Sequence, residues 1–274
     1  MLERAYLGFY ISYKHKLLKV TTLQAMENVI TNNQQELSEM LITVPAESTA
    51  TKAPIIVIDN ISKNYTIKKQ RIAALNNLSL NIFPGEFIVI SGPSGSGKST
   101  LLQMIGGLDR PDSGNITVNN VNINHLSDRK LSTFRGKTIG FIFQFFYLQP
   151  FLCLGRNIEV PGMFAGLSRK KRKNKIKQLA EIVGLSDRLN HFPSELSGGQ
   201  IQRAAIIRAL LNQPKILIAD EPTGNLDSQN SAAIIDLFKK IRQQFGTTII
   251  IATHDATIAA CADRVIILKD GALV

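Results

Sequence analysis

Tryptophan is absent from the 274 residues, cysteine occurs twice, and aromatic residues make up only 7% of the chain. The two thiols, Cys153 and Cys261, lack the paired spacing of a metal site or a disulfide framework, so both are expected to be reduced. No stretch reaches the roughly 18 apolar residues that a membrane-crossing helix needs. No internal repeat is evident. Acids are scarce as well, 21 against 32 Lys and Arg, for a formal net charge of +11. The imbalance is not uniform. Residues 1–53 hold five bases (Arg4, Lys14, Lys16, Lys19, Lys52) and five acids (Glu3, Glu27, Glu36, Glu39, Glu47), so the whole excess falls in residues 54–274.

Glycine and small polar residues are concentrated where chemistry is expected. Gly92, Pro93, Ser94, Gly95, Ser96, Gly97, Lys98, Ser99 and Thr100 fit the G-x-x-x-x-G-K-[ST] phosphate-loop pattern. The apolar run Phe87–Ile90 before it reads as a buried strand, and Leu101–Ile105 after it as a helix that stops at Gly106-Gly107. Glycines let successive backbone N–H groups turn inward, and the following helix adds free N–H groups and the positive end of its dipole. Lys98 supplies a full charge for the β- and γ-phosphates, and the Ser99 hydroxyl is a ligand for Mg²⁺.

Three further segments end strand-like runs with polar groups. Ile216–Ala219 delivers Asp220 and Glu221 just before Pro222. Asp220 is a Mg²⁺ ligand by the logic of the second strand of a phosphate-loop NTPase. Glu221, one residue on, is expected to point to the other side of an extended chain and polarise an attacking water. Thr248–Thr253 ends in His254, a donor to the γ-phosphate or the water; a lone histidine after a strand is more often structural, but its place at the carboxyl end of a third buried strand favours the functional reading. Gln144 follows Phe141–Phe143 and offers its amide to Mg²⁺ or to the water. Finally, Ser197 precedes Gly198-Gly199-Gln200 and a run to Leu211 free of internal Gly and Pro, so it reads as the N-cap of a helix whose start presents N–H groups and a hydroxyl to an anion. An ordinary capped helix reads the same way.

Taken in this order, the motifs resemble the nucleotide-binding subunits of ABC transporters from about Pro54 onward. Within that family the wording is closest to the branch of lipoprotein-releasing, macrolide-exporting and cell-division ATPases. The phrases that carry this are 94–102, 105–111, 193–200 and 220–228, the last reading Asp-Glu-Pro-Thr-Gly-Asn-Leu-Asp-Ser. The resemblance implies a phosphate-loop NTPase (RecA-like) α/β core with a mixed sheet, an antiparallel β edge and a helical subdomain over about 145–212 that bears the Leu196–Gln200 signature. It implies ATP and Mg²⁺ as ligands, and Tyr65 as a stacking platform for adenine. Asp227 is a further ATP-site residue, in the D-loop. Ser197 and Gly199 would complete the site of a second copy in a head-to-tail dimer, so that ATP closure and hydrolysis drive a membrane-spanning permease from the cytoplasmic face. Cys153 and Arg156 depart from the branch, which tends to have a small polar residue and Glu there. They lie toward the permease-facing surface, so they bear on partner identity.

Residues 1–53 fall outside the resemblance. The Thr/Asn/Gln-rich middle and the stretch from Pro45 to Pro54 read as a linker, the start from Tyr6 to Val20 as a surface helix or targeting segment, and Met40 as an alternative first residue. Arg169–Lys173, Lys175 and Lys177 place seven positive charges in a segment with no acid between Glu159 and Glu181. That run fits anionic lipid headgroups, a solvated helix face or a generic polyanion patch. Against a DNA- or ribosome-directed ATPase, the interval between phosphate loop and signature holds neither a heptad run nor a CxxC pair, and only one cassette is present. No specific nucleic-acid partner is expected. A regulatory tether of a membrane complex is the remaining alternative.

Overall fold

The computed structural model describes residues 53–67 and 69–274. Apart from Ala53, the extension over 1–53, with the readings made of it, lies outside the described residues.

Strands Phe87–Ser91 (β3), Ile216–Asp220 (β7) and Thr248–Ala252 (β8) are short and almost wholly buried. Near-continuous Ile/Val/Leu runs of this length are what a parallel sheet covered on both faces demands. They join Ile139–Ile142 (β6), Arg264–Lys269 (β9) and Ala272–Leu273 (β10) in a six-stranded sheet of order β10-β9-β3-β8-β7-β6. All neighbours are parallel except the β9/β10 hairpin.

Alternation along these strands sorts side chains to two cores. Phe87, Val89, Leu217, Ala219, Ile249 and Ile251 face one way and pack with four helices: Leu154–Phe164 (α3), Arg169–Ile182 (α4), Gly198–Leu210 (α5) and Ser228–Phe245 (α6). Ile88, Ile90, Ile216, Ile218 and Ile250 face the other way. There they bury the helix Lys98–Ile105 (α1) against a second, antiparallel sheet of order β2-β1-β4-β5, built from Ile56–Ile67 (β1), Gln70–Ile82 (β2), Ser113–Val118 (β4) and Val121–Asn122 (β5). The helix that follows the phosphate loop is thus clamped between two sheets. Two further helices, Asp128–Thr138 (α2) and Ala256–Ala259 (α7), complete the described elements of the α class.

The mixed sheet, the antiparallel edge and the mostly helical part between Phe145 and Asn212 follow the sequence expectation. The long hairpin strand β2 does not, because its burial follows no clean two-residue period and its polar residues hide it.

Candidate functional site

In a parallel sheet, ligands gather outside the carboxyl ends of the strands. Here the ends of β3, β6, β7 and β8 deliver the phosphate loop, Gln144, Asp220-Glu221 and His254 to one edge of the sheet. Strand pairing sets their order: β8 lies between β3 and β7, and β6 flanks β7.

The loop's shape is fixed by packing as well as by φ. At Gly92, φ is +153°, and a Cβ there would sit 2.1 Å from the Leu268 carbonyl oxygen of β9. Gly271, just before β10, donates its N–H to the Ser96 carbonyl at 3.1 Å and accepts from Asn76 N–H of β2 at 2.9 Å. Inside this frame Lys98 Nζ donates back to the carbonyls of Gly92 (2.8 Å) and Pro93 (3.0 Å), so its charge hangs over the concavity. Lys98, Ser99 and Thr100 form the first turn of α1, which holds no acid.

Asp220 ends β7 beside Ser99. Burial raises its carboxyl above the usual range and the Glu221 charge adds to that, while the Ser99 hydroxyl and Lys98 pull it down. Its Oδ1 is buried and pairs with no protein group. Glu221 departs from expectation: its φ is +46°, in the left-handed region and not the extended one. A non-glycine residue there is strained, a common mark of functional positions. The turn lets Glu221 N–H donate to Ala252 O at 2.9 Å and brings its carboxylate to β8's exit. There Oε2 accepts from the Thr253 hydroxyl at 3.2 Å, and Oε1 lies 3.0 Å from His254 Nδ1. The His254 side chain itself is 76% exposed.

Gln144 follows β6 with its side chain in solvent, and its carbonyl accepts from Asn225 Nδ2 at 3.2 Å. Tyr65 stands beside Thr100 on β1. Its hydroxyl donates to Asp109 at 2.9 Å, and Lys63, ion-paired to Asp109 at 3.0 Å, lies 5.2 Å from the ring centroid.

The signature is a separate device within the chain. Ser197 is the N-cap of α5, its hydroxyl accepting from Gln200 N–H at 3.3 Å while Gln200 Oε1 accepts from Ser197 N–H at 2.9 Å. Among the described residues no hydrogen bond joins Ser197, Gly198, Gly199 or Gln200 to residues 92–100. Instead Gly199 abuts Asn230: a Cβ at Gly199 would fall 2.2 Å from Asn230 Oδ1. Asn230 in turn donates through its main-chain and side-chain nitrogens to Asp227, the N-cap of α6, each at 2.8 Å. Those two hydrogen bonds, the main-chain one first, hold the Asp227 carboxyl below the usual range. Asn225, Asn230 and Thr253 were not singled out from sequence. Only their adjacency to Glu221, Asp227 and His254 could have drawn attention to them.

The basic run is less free than its composition suggests. Glu159, buried in α3, takes Arg172 at one oxygen and Arg156 at the other, both at 2.8 Å. Lys175 Nζ reaches Gln213 Oε1 at 3.1 Å. Arg169, Lys170, Lys171, Lys173 and Lys177 remain exposed.

A phosphate loop at the end of a central parallel strand, with an acidic pair two strands away, defines a nucleotide-binding cassette of the phosphate-loop NTPase class. The family model described as ABC transporter matches residues 75–224. The ABC transporter ATP-binding protein YknY of Bacillus subtilis is 44% identical over 220 residues, 80% of this chain and 95% of that protein. MJ0796 of Methanocaldococcus jannaschii, another ABC transporter ATP-binding protein, is 45% identical over 221 residues, 79% of this chain and 94% of that one. A macrolide export ATP-binding/permease protein, MacB 1 of Yersinia pestis, is 42% identical over 222 residues, 81% of this chain but 34% of that longer protein. A dimeric structure of MJ0796 in a post-hydrolysis state bound to ADP and Pi superposes with a TM-score of 0.75 at 42% identity, covering 80% of this chain and 96% of that one. The chain belongs to the ABC transporter family and is an ATP-binding subunit of it, an ATPase. Among the described residues no helix is long and apolar enough to cross a membrane.

Proposed function

We propose that this chain binds Mg²⁺-ATP in the phosphate loop and hydrolyses it between two copies of the cassette to drive a membrane-spanning permease. The observation that carries the reading is Asp220: a buried carboxylate oxygen without a protein partner, beside Ser99 and Lys98, with Glu221 next in sequence. The donor set suits a hard cation. One carboxylate and one hydroxyl, with no group of three metal-ligating side chains among the described residues, match an ion that keeps waters and phosphate oxygens as its other ligands. Ser99 and Asp220 would hold it, with the Gln144 amide as a third ligand, and it would neutralise charge on the transferring phosphoryl group.

The chain's own groups supply the rest. Lys98 and the N–H groups of Gly92 through Thr100 bind the phosphates, and Tyr65 stacks on adenine. Glu221, its carboxylate anchored by Thr253 and His254, takes the proton of the attacking water as the water oxygen bonds to the γ-phosphorus and the bond to the leaving ADP oxygen breaks. His254 orients that carboxylate through Nδ1 and, once Glu221 holds the water's proton and no longer accepts from it, turns its N–H to the departing phosphate. Ser197, Gly198, Gly199 and Gln200, with Asp227, face the γ-phosphate held by a second copy. That explains why the signature stands apart from the phosphate loop of its own chain.

Residues 54–274 form this cassette, with about 145–212 as its helical subdomain and 1–53 as an extension. It sits peripherally at the cytoplasmic face of a membrane, next to the permease, and the exposed part of the run 169–177 meets anionic lipid. The test is ATP hydrolysis by the full chain across a Mg²⁺ titration. Asp220→Asn is expected to retain ATP binding in EDTA and lose the Mg²⁺-dependent gain in affinity. An unchanged Mg²⁺ response would remove Asp220 from the metal site.

A further inference from the structure

The loop between β6 and α3 is pinned to the rest of the fold at three points. At its start, the Gln144 carbonyl accepts from Asn225. At its end, Asn157 takes Gln149 N–H at 2.6 Å and donates to the Leu152 carbonyl at 2.8 Å. In the middle stands Arg208 of α5, whose Nη1 donates to the Tyr147 carbonyl at 2.7 Å and Nη2 to the Phe146 carbonyl at 2.8 Å.

Two details set the middle contact apart. Tyr147 has a φ of +48°, a conformation that an aromatic residue rarely adopts, and its side chain is 62% exposed, so its own packing does little to enforce it. Among the described residues its ring meets two aromatic rings edge-on, Phe143 at 5.2 Å and Phe145 at 6.5 Å between centroids. Arg208, for its part, is a half-buried cation with no carboxylate partner among the described residues, and its partial burial pulls its guanidinium below the usual arginine value. A partly desolvated charge without a counter-ion gains by holding these two carbonyl dipoles. The planar guanidinium gives each of the two consecutive carbonyls its own nitrogen in a fixed fork.

We infer that Arg208 is a positioning residue that locks the strained Phe146-Tyr147 backbone onto the signature helix. Gln144 and Ser197 then move as one body. Helix α5 carries Ser197 at its N-cap and Arg208 near its other end. A displacement of the aromatic loop 145–151, where Phe145, Tyr147 and Phe151 are exposed, reaches the signature through this fork. The inference rests on the reading of Gln144 and Ser197 as ATP-site residues.

Arg208→Lys, which keeps charge but loses the fork, is expected to lower kcat for ATP about tenfold with KM within about twofold, since the phosphate loop is untouched. Amide exchange in the ATP-bound full chain should quicken at 145–148 and not in β3 or α1. The decisive readout is rescue. Tyr147→Gly removes the cost of positive φ, so adding it to Arg208→Lys should restore kcat to within about threefold of Tyr147→Gly alone. No rescue, or a rise in KM at constant kcat, would overturn the proposal. So would loss of folding in Arg208→Lys that Tyr147→Gly does not repair, because Arg208 would then serve stability alone. Gln144→Ala separates the underlying reading: full turnover in that variant would overturn the role of Gln144, while the exchange rates at 145–148 would still report the clamp.

Discussion

His254 Nδ1 lies 3.0 Å from Glu221 Oε1, across the gap between the exits of two neighbouring strands. The contact exists because Glu221 leaves β7 with a left-handed backbone and turns its carboxylate toward β8. Glu221→Gln is expected to keep ATP binding, trap ATP-bound dimers on size exclusion and cut phosphate release about 100-fold or more. Turnover at the wild-type rate would remove Glu221 as the base.

Gly92→Ala should be far more damaging to the phosphate loop than Gly95→Ala. The added methyl meets a main-chain carbonyl oxygen of β9, which cannot swing aside as a flexible side chain would. We expect the ATP dissociation constant to rise about tenfold or more, equivalent to roughly 1.4 kcal/mol. Gly95→Ala, with nothing within 4 Å of its added carbon though its φ is +80°, should do less. Nucleotide titration calorimetry on the two variants checks the order.

Gly199→Ala collides with Asn230, a side chain that can be shortened. The single variant should lose about 1–3 kcal/mol of stability to overpacking, and Asn230→Ala in the same background should recover part of it. A urea-melt double-mutant cycle with no coupling between the two positions would contradict the contact.

Glu159→Gln tests the buried ion pair. Burial alone would raise the Glu159 carboxyl, but the hydrogen bonds from Arg172 and then Arg156 outweigh it and hold the group below the usual range. A carboxyl depressed on folding stabilises fully above its unfolded value of about 4.3 and loses that contribution as pH falls through the folded value. The variant should therefore be about 3 kcal/mol less stable than wild type near neutrality. The gap should narrow as urea melts are taken below about pH 4.5.

Much of the site was legible because its elements are local. A strand, a glycine-rich turn and a helix follow one another within Phe87–Ile105, and Ser197 caps α5 through Gln200, three residues on. What stayed hidden depended on distant partners. Glu221 was expected on an extended strand, yet its conformation follows from the Ala252 carbonyl and the Thr253 hydroxyl of another strand. Arg172 read as one of seven free charges until Glu159, on a different helix, claimed it. The edge strand β2 exposes Asn76, Asn77, Ser79 and Asn81 between its few core positions, Leu75, Leu78 and Ile82, and so masks them.

The packing of Leu268 and Gly271 against the phosphate loop bears on how the protein is made. During synthesis the ribosome releases Gly92–Thr100 long before β9 and β10, so the motif that names the site emerges without the carbonyl wall and the hydrogen bond that shape it. Closing so long a loop is slow and comes late. A nascent chain that already displays phosphate loop, signature and acidic pair is therefore not yet a nucleotide-binding protein. ATP can act as a folding ligand only in the final step, when it stabilises the finished cassette by mass action.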